Sequence, residues 1–307
     1  MKTISFLLSH IRTGPQPFTI GHQIASGCSN LVYSAERAGI PCVVKELFPL
    51  SLREKGLLTR TEKGRIALRK APAGSLQWFR AWCRCLRAGK VAFLLREEPR
   101  TMDAVVGLWA LYVGQGTIYT VTEGLDGTSW DAVAGETPEQ ILQIGFRIAT
   151  FCEEVHRMQW LLIDIKASNF LVEPLPRGDV AVRLADFDSM IPCRRIGYQK
   201  SFLCSSETAP AELIACRNPL VGFHSDVYSI CAMLFRKLGG NFERERIREG
   251  FISNIQPRLL GWSKERCNSL LTLFLHGLEP DPKQRLHSCR ALADRLGDLL
   301  TEQGSSL

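Results

Sequence analysis

The sequence predicts an α+β chain in two lobes, a small β-rich N-lobe over residues 1–123 and a larger helical C-lobe over 124–307. Three observations predict it. Up to Thr122 the apolar residues come in short runs divided by glycine-bearing turns, the pattern of strands and hairpins. Beyond residue 137 they recur at three- and four-residue spacing, the pattern of helices with one buried face. Between these regions lies Glu123–Gly127, a glycine-containing connector and the natural boundary. A strand-rich first third followed by helices is an α+β order rather than an alternating α/β one.

Taken in order, Ile20–Tyr33 reads as a hairpin whose tip, Ala25–Asn30, is small and polar around Gly27. Small residues let backbone N–H groups approach a phosphate, although most such turns are only turns. Val43, Val44 and Lys45 form a strand that ends in a lysine, which must leave the sheet or meet an anion. Residues 46–75 show no clear period and read as a basic insertion. A helix follows over 76–95, interrupted near Gly89, with Trp78 and Trp82 on its core side. Strands over 105–112 and 118–122 flank a turn at Gly114–Gly116. Thr137, Pro138 and Gln140 make an N-cap, a first-turn proline and a capping glutamine ahead of a helix bearing Ile141, Ile144, Ile148, Phe151 and Val155. A second helix starts near Asp226 and stops at Gly239 and Gly240. Two more occupy 263–278 and 288–300, and residues 189–211 read as loop. His156 and His224 read as structural, since neither has a partner motif.

Bulk properties narrow the function classes. The 307 residues are 45% hydrophobic and 22% charged, the composition of a folded globular chain. Eleven cysteines without C-x-x-C spacing argue for a reducing compartment and against a disulfide framework or a cysteine-paired metal module. The first residues, Met1–Gly14, only faintly resemble a signal sequence, because His10 and Arg12 break the apolar run. No apolar run approaches the roughly 20 residues needed to span a bilayer, so the expectation is a cytoplasmic protein without a membrane span. The net charge of +7 is concentrated: residues 53–100 hold thirteen Lys or Arg against four Glu. That segment suits an acidic partner, or is a solvated face that keeps the chain soluble.

The chemistry concentrates between Trp160 and Met190. Two short apolar strands there each end in a polar cluster: Asp164, Lys166 and Asn169 after the first, Asp186 and Asp188 after the second. Phe170, Leu171 and Val172 lead into a turn built from Pro174, Pro176 and Gly178. Carboxylates, an amide and a lysine leaving neighbouring strands suit metal-bound polyphosphate beside a nucleophilic hydroxyl.

In this order and spacing the chain resembles a eukaryotic-type Ser/Thr protein kinase domain, most closely the bacterial members, over nearly its whole length. The elements are residues 24–33 at the glycine-rich loop, Val43–Lys45 at the strand lysine, Asp164–Asn169 at the catalytic loop, and Asp186–Asp188 at D-F-G. Thr208–Glu212 resembles the end of the activation segment, Ser225–Ser229 the start of the central helix, and Asp281–Arg285 the motif whose arginine pairs with that glutamate. Lys45–Pro49 matches the K-E-x-x-P extension of bacterial members.

The resemblance implies ATP and Mg²⁺, or Mn²⁺, as cofactors and an unidentified protein as substrate. It assigns Lys45 to the α- and β-phosphates, Asp186 and Asn169 to metal, Asp164 to the attacking hydroxyl and Lys166 to the γ-phosphate. Ser26, Gly27 and Ser29 would cover the phosphates, Glu123 and Leu125 would meet adenine, and Thr122 would guard the rear of its pocket. Ile24, Val32, Val43 and Leu171 complete the nucleotide set. The departures are as specific. One loop glycine of three remains; Leu162 and Ile163 replace the His-Arg before the catalytic Asp; Asp188 replaces the last Gly of D-F-G. Ala88 falls where the glutamate partner of Lys45 belongs. The alternatives are therefore an active kinase without the usual phosphate–arginine switch and a pseudokinase that works as a scaffold or allosteric partner.

Overall fold

Strand alternation shapes the first half of the molecule, and burial shows which side faces inward. The computed structural model describes residues 11–13, 18–69, 72–176, 179–241 and 247–301. It divides into two compact units, Met1–Asp126 and Gly127–Leu307. The faintly signal-like stretch Met1–His10, Lys70 of the basic segment and Gly178 of the expected turn lie outside the described residues.

The first unit comprises β1 (Ile11–Thr13), β2 (Thr19–Ser26), β3 (Asn30–Arg37), β4 (Ile40–Leu47), α1 (Leu50–Glu54), β5 (Leu58–Arg60), β6 (Ile66–Leu68), α2 (Pro72–Glu97), β7 (Leu108–Gly114) and β8 (Thr117–Glu123). Its main sheet has the order β1-β7-β8-β4-β3-β2. Only β1 pairs in parallel, with β7. Strand β4 is interior, between β3 and β8, so Lys45 does not lie at a sheet edge. On one face Cys42 and Val44 pack with Tyr112, Tyr119 and Val121. On the other, Leu47, Leu111 and Ile118 pack with Ala81 and Cys85 of α2.

The structure fills in one expectation here and corrects another. Residues 46–75, which show no clear period, fold into defined elements: α1 and the β5–β6 hairpin bury Leu52, Leu58 and Ile66 in one cluster with Leu31 and Phe48. The hairpin docks on the β7–β8 turn, where the Ile66 N–H donates to the Gln115 carbonyl at 2.8 Å. That turn needs its glycine, since Gly116 has φ +79° and a Cβ there would lie 2.2 Å from the Ile66 carbonyl oxygen. The correction is α2, which runs unbroken from Pro72 to Glu97 through Gly89. Gly89 is buried on its packed face, so tertiary packing outweighs the roughly 1 kcal/mol propensity cost. Trp78 and Trp82 meet edge to face at 6.0 Å and pack on the core.

The second unit holds β9 (Thr128–Ser129), α3 (Pro138–Arg157), β10 (Trp160–Leu161), β11 (Phe170–Pro174), β12 (Val180–Leu184), β13 (Ile191–Pro192), α4 (Ala211–Ile214), α5 (Phe223–Lys237), α6 (Ile247–Gly250), α7 (Lys264–Gly277) and α8 (Cys289–Thr301). Helix α3 starts with a capping box: the Gln140 N–H donates to Thr137 Oγ1 and the Thr137 N–H to Gln140 Oε1. It packs against α5 and α8. Helix α5 begins at Phe223, three residues before Asp226, because the Gly222 N–H is met by Ser225 Oγ at 3.2 Å. It ends at Gly239, whose φ is +93°. Residues 189–211 are more ordered than a loop, since β13 pairs with β10 and a 3₁₀ helix spans Cys193–Tyr198. No described helix is long and apolar enough to cross a membrane.

Candidate functional site

In the second unit the backbone places the acids before any side chain acts. Strands β11 and β12 pair antiparallel, Phe170 opposite Leu184. Their polar ends are joined where the Ala185 N–H donates to the Asn169 carbonyl at 2.9 Å. Asp164, Asn169 and Asp186 therefore leave neighbouring chain segments.

Asp164 is held from several directions. Lys166 Nζ donates to its Oδ2 at 2.7 Å and the Ser205 N–H to its Oδ1 at 2.8 Å. Asn169 Nδ2 donates to its carbonyl at 2.7 Å and reaches Oδ2 at 3.3 Å. The Asp164 side chain is 9% exposed and that of Lys166 36%, so this pair sits at the mouth of the interior. Asn169 is buried at 6%. Its Nδ2 is committed to Asp164, which leaves its carbonyl oxygen as the acceptor available to a cation. Asp186 accepts the Asp188 N–H on Oδ1 at 3.0 Å, a tight turn closed by the residue that replaces glycine. Leu171 stands between Ser129 and Arg183 in the sheet.

The segment leading to Asp164 is clamped from below. Asp226, fully buried, accepts the Leu162 N–H at 2.8 Å on Oδ2 and the Ile163 N–H at 2.9 Å on Oδ1. Ile163 has φ +73°, a left-handed backbone that strains a β-branched residue by about 1–3 kcal/mol and persists only where the surroundings hold it. Ile163 belongs to a buried apolar cluster with Leu161, Ile191, Ala209, Leu213 and Val221, against which Phe202 and Cys204 pack. Thr208 Oγ1 donates to the Ile165 carbonyl at 2.7 Å. Glu212 and Arg285 meet at 2.7 Å, exposed by 2% and 0%, with Ser225 Oγ donating to the same carboxylate.

Sequence reasoning missed the partner of His156. Its Nε2 lies 2.9 Å from Asp226 Oδ2, across 70 residues of chain, and its ring stacks on Phe223 at 4.4 Å. The available signal was a histidine on the apolar stripe of α3, where an ionisable group needs a buried partner. Burial alone would lower the His156 pKa, but the hydrogen bond to Asp226, with Cys289 close by, outweighs it and pushes it up to about 10. His224 is tied locally, with Nε2 2.8 Å from the Leu220 carbonyl.

In the first unit, Lys45 is in register with Val32 on β3 and Thr120 on β8. Thr120 faces α2, where Cys85 Sγ lies 3.6 Å from its Oγ1. Ala88, one turn beyond Cys85, is buried on the same stripe, and none of the buried residues of α2 is acidic. The next residue, Glu46, points the other way. Buried to 2% exposure, it accepts the Tyr119 hydroxyl at 3.0 Å and the Tyr33 hydroxyl at 3.2 Å, and it pairs with Arg60 of the β5 strand. Sequence reading did not find this pair.

The remaining candidates of the first unit spread along its strands. Ile24 and Ser26 lie on β2, and Ile24 is half exposed. The tip Gly27–Ser29 closes by the Gly27 N–H donating to the Asn30 carbonyl at 2.9 Å, so that donor is already used. A Cβ on Gly27 would make only an ordinary 3.6 Å contact, so a side chain could be accommodated there. Val43 pairs with Ser34 and with Thr122, and Thr122 is buried. Glu123 donates its N–H to the Gly107 carbonyl and accepts the Gly107 N–H on Oε1 at 2.7 Å. Leu125 follows, half-buried.

No protein-family model matches this chain, and no curated protein sequence matches it. Solved structures do. The apo form of PpkA-294, a bacterial Ser/Thr kinase, superposes with a TM-score of 0.64 at 20% identity, covering 94% of this chain and 97% of that one. The chain has a protein-kinase-like fold, with a β-sheet N-terminal region and a helical C-terminal region.

Proposed function

We propose that the chain is an ATP-dependent Ser/Thr protein kinase. The observation that carries this reading is the constraint on Asp164, whose carboxylate is fixed on both oxygens while the backbone before it is gripped by Asp226. A group that orients an attacking hydroxyl needs such preorganisation, because phosphoryl transfer is mostly positioning and charge neutralisation. Lys166, already beside Asp164, would offset charge at the γ-phosphate, and Lys45 would hold the α- and β-phosphates. Asp186 Oδ2 and Asn169 Oδ1 have no hydrogen bond among the described residues. As hard oxygen donors they fit Mg²⁺, or Mn²⁺, which when bound would neutralise the β- and γ-phosphates. Ile24, Ser26, Gly27, Ser29, Val32, Val43, Thr122, Glu123, Leu125 and Leu171 would line the nucleotide.

The same reading removes the usual switch. Where an arginine would receive an activation-loop phosphate, Ile163 lies in one buried apolar cluster with Ile191, Ala209 and Leu213 of that segment. Burial replaces charge, and the segment needs no phosphate to be held. A second reading, a pseudokinase acting as a scaffold or allosteric partner, is favoured by one observation: the Gly27 N–H at the loop tip is already given to the Asn30 carbonyl rather than held open for a phosphate.

Radiolabelled ATP with the purified chain and a generic basic protein separates the two. Transfer that drops to background in Asp164→Ala is the expected outcome. A chain that transfers no label and gains no thermal stability from Mg-ATP would sink the enzyme and leave the scaffold.

A further inference from the structure

Away from the phosphoryl-transfer residues, four side chains from three helices converge inside the second unit. Cys152 and His156 stand one turn apart on α3, so they share a face. Cys289 opens α8 and Asp226 lies in the first turn of α5. None is more than 3% exposed. One ligand atom each from Cys152, His156 and Cys289 lies within 4.8 Å of the others. His156 Nε2 is 3.4 Å from Cys152 Sγ and 2.9 Å from Asp226 Oδ2, and that oxygen is 3.9 Å from the same sulfur.

A tetrahedral zinc with Zn–S of about 2.3 Å and Zn–N and Zn–O of about 2.0–2.2 Å sets its ligand atoms about 3.3–3.8 Å apart. Of the distances found, 3.4 Å lies inside that range and 2.9 and 3.9 Å just outside it, with Cys289 within 4.8 Å, so side-chain rotations close the tetrahedron. Two thiols, an imidazole and a carboxylate form a borderline-soft set that suits Zn²⁺ and not Mg²⁺. Asp226 can serve while still accepting the Leu162 and Ile163 N–H groups, because a carboxylate has about four acceptor sites.

The plainer alternative is a buried His–Asp ion pair with two thiols packed beside it as small hydrophobes. It leaves a cost unanswered. His156 Nδ1 is buried with no hydrogen-bond partner, so an imidazolium would bury a charged N–H without an acceptor. A neutral ring ligating through Nε2 leaves only a neutral N–H there.

We propose that Cys152, His156, Cys289 and Asp226 form a closed tetrahedral site for Zn²⁺. Binding displaces the two thiol protons and the proton on Nε2 to solvent, and the metal takes the place of that buried proton between ring and carboxylate. The site would tie α3, α5 and α8 together and fix the carboxylate that grips the backbone before Asp164. It is a structural site, and it stands whether or not the chain transfers phosphate.

The test uses the full chain, produced without a polyhistidine tag and kept reduced. Elemental analysis should find about one zinc per chain. Replacement by Co²⁺ should give a thiolate-to-cobalt charge-transfer band and the intense visible bands of four-coordinate cobalt. Both signals should vanish in Cys152→Ala and Cys289→Ala and persist in Cys28→Ser and Cys83→Ser, which change exposed cysteines. Three results would overturn the site: a folded, reduced chain without zinc or a cobalt–thiolate band; a band unchanged in both alanine variants; or a Cys152–Cys289 disulfide in the freshly purified chain. If the alanine variants do not fold, the unmodified chain decides, since its cobalt spectrum and a melting point that falls on chelation and returns with zinc need no variant.

Discussion

Among the described residues, each unit buries one glutamate beneath an arginine, and the two pairs differ in what surrounds them. In the second unit Glu212 and Arg285 are both sealed, and Arg285 also stacks over Tyr228 at 4.8 Å. In the first unit Glu46 is as deeply buried as Glu212, but the Arg60 side chain remains 38% exposed and two tyrosine hydroxyls share the carboxylate. One pair joins the segment ending at Glu212 to the helical body. The other uses an inserted hairpin to satisfy a charge beside the strand lysine. The same two residue types thus act as a sealed staple in one place and a wet brace in the other, and solvent access should set their strengths.

The largest effect should come from breaking the sealed pair. Arg285→Ala leaves Glu212 charged in the interior and should cost about 3–5 kcal/mol in urea unfolding; a loss below about 1 kcal/mol would mean water reaches the pair. Arg60→Ala should cost less, about 1–2 kcal/mol, because water replaces part of an exposed guanidinium. Adding Glu46→Gln to that variant should restore much of the loss, and a double variant no better than the single would show that the tyrosines alone satisfy Glu46. The smallest effect should come from Tyr33→Phe, which removes one of the two hydroxyls on Glu46 and should cost about 0.5–1 kcal/mol in the same unfolding assay. A cost above that of Arg60→Ala would show that the hydroxyl and not the arginine satisfies the carboxylate.

The sealed pair was legible in the sequence and the wet one was not, for a physical reason. Glu212 and Arg285 lie in motifs whose spacing reflects fixed chemistry, as do Asp164, Lys166 and Asn169, which sit within six residues and bond to one another locally. Glu46 meets Arg60 only because the β5–β6 hairpin folds back on the sheet, and its residues carry no period that announces strands. The unbroken α2 and the His156–Asp226 pair were hidden in the same way. Packing overrode the glycine, and a contact between residues 70 apart leaves no trace in local pattern. Local polar geometry reads out from sequence; buried charges matched across the fold do not.

The packing around Ile163 has a consequence for control in the living cell. A loop phosphate held by an arginine can be written by one enzyme and erased by another, so its grip is reversible information. A greasy contact made at folding stores no such information and answers to no phosphatase. If the chain is a kinase, its output is set by how many copies exist and which substrates are near them, and regulation moves from the state of the molecule to its supply.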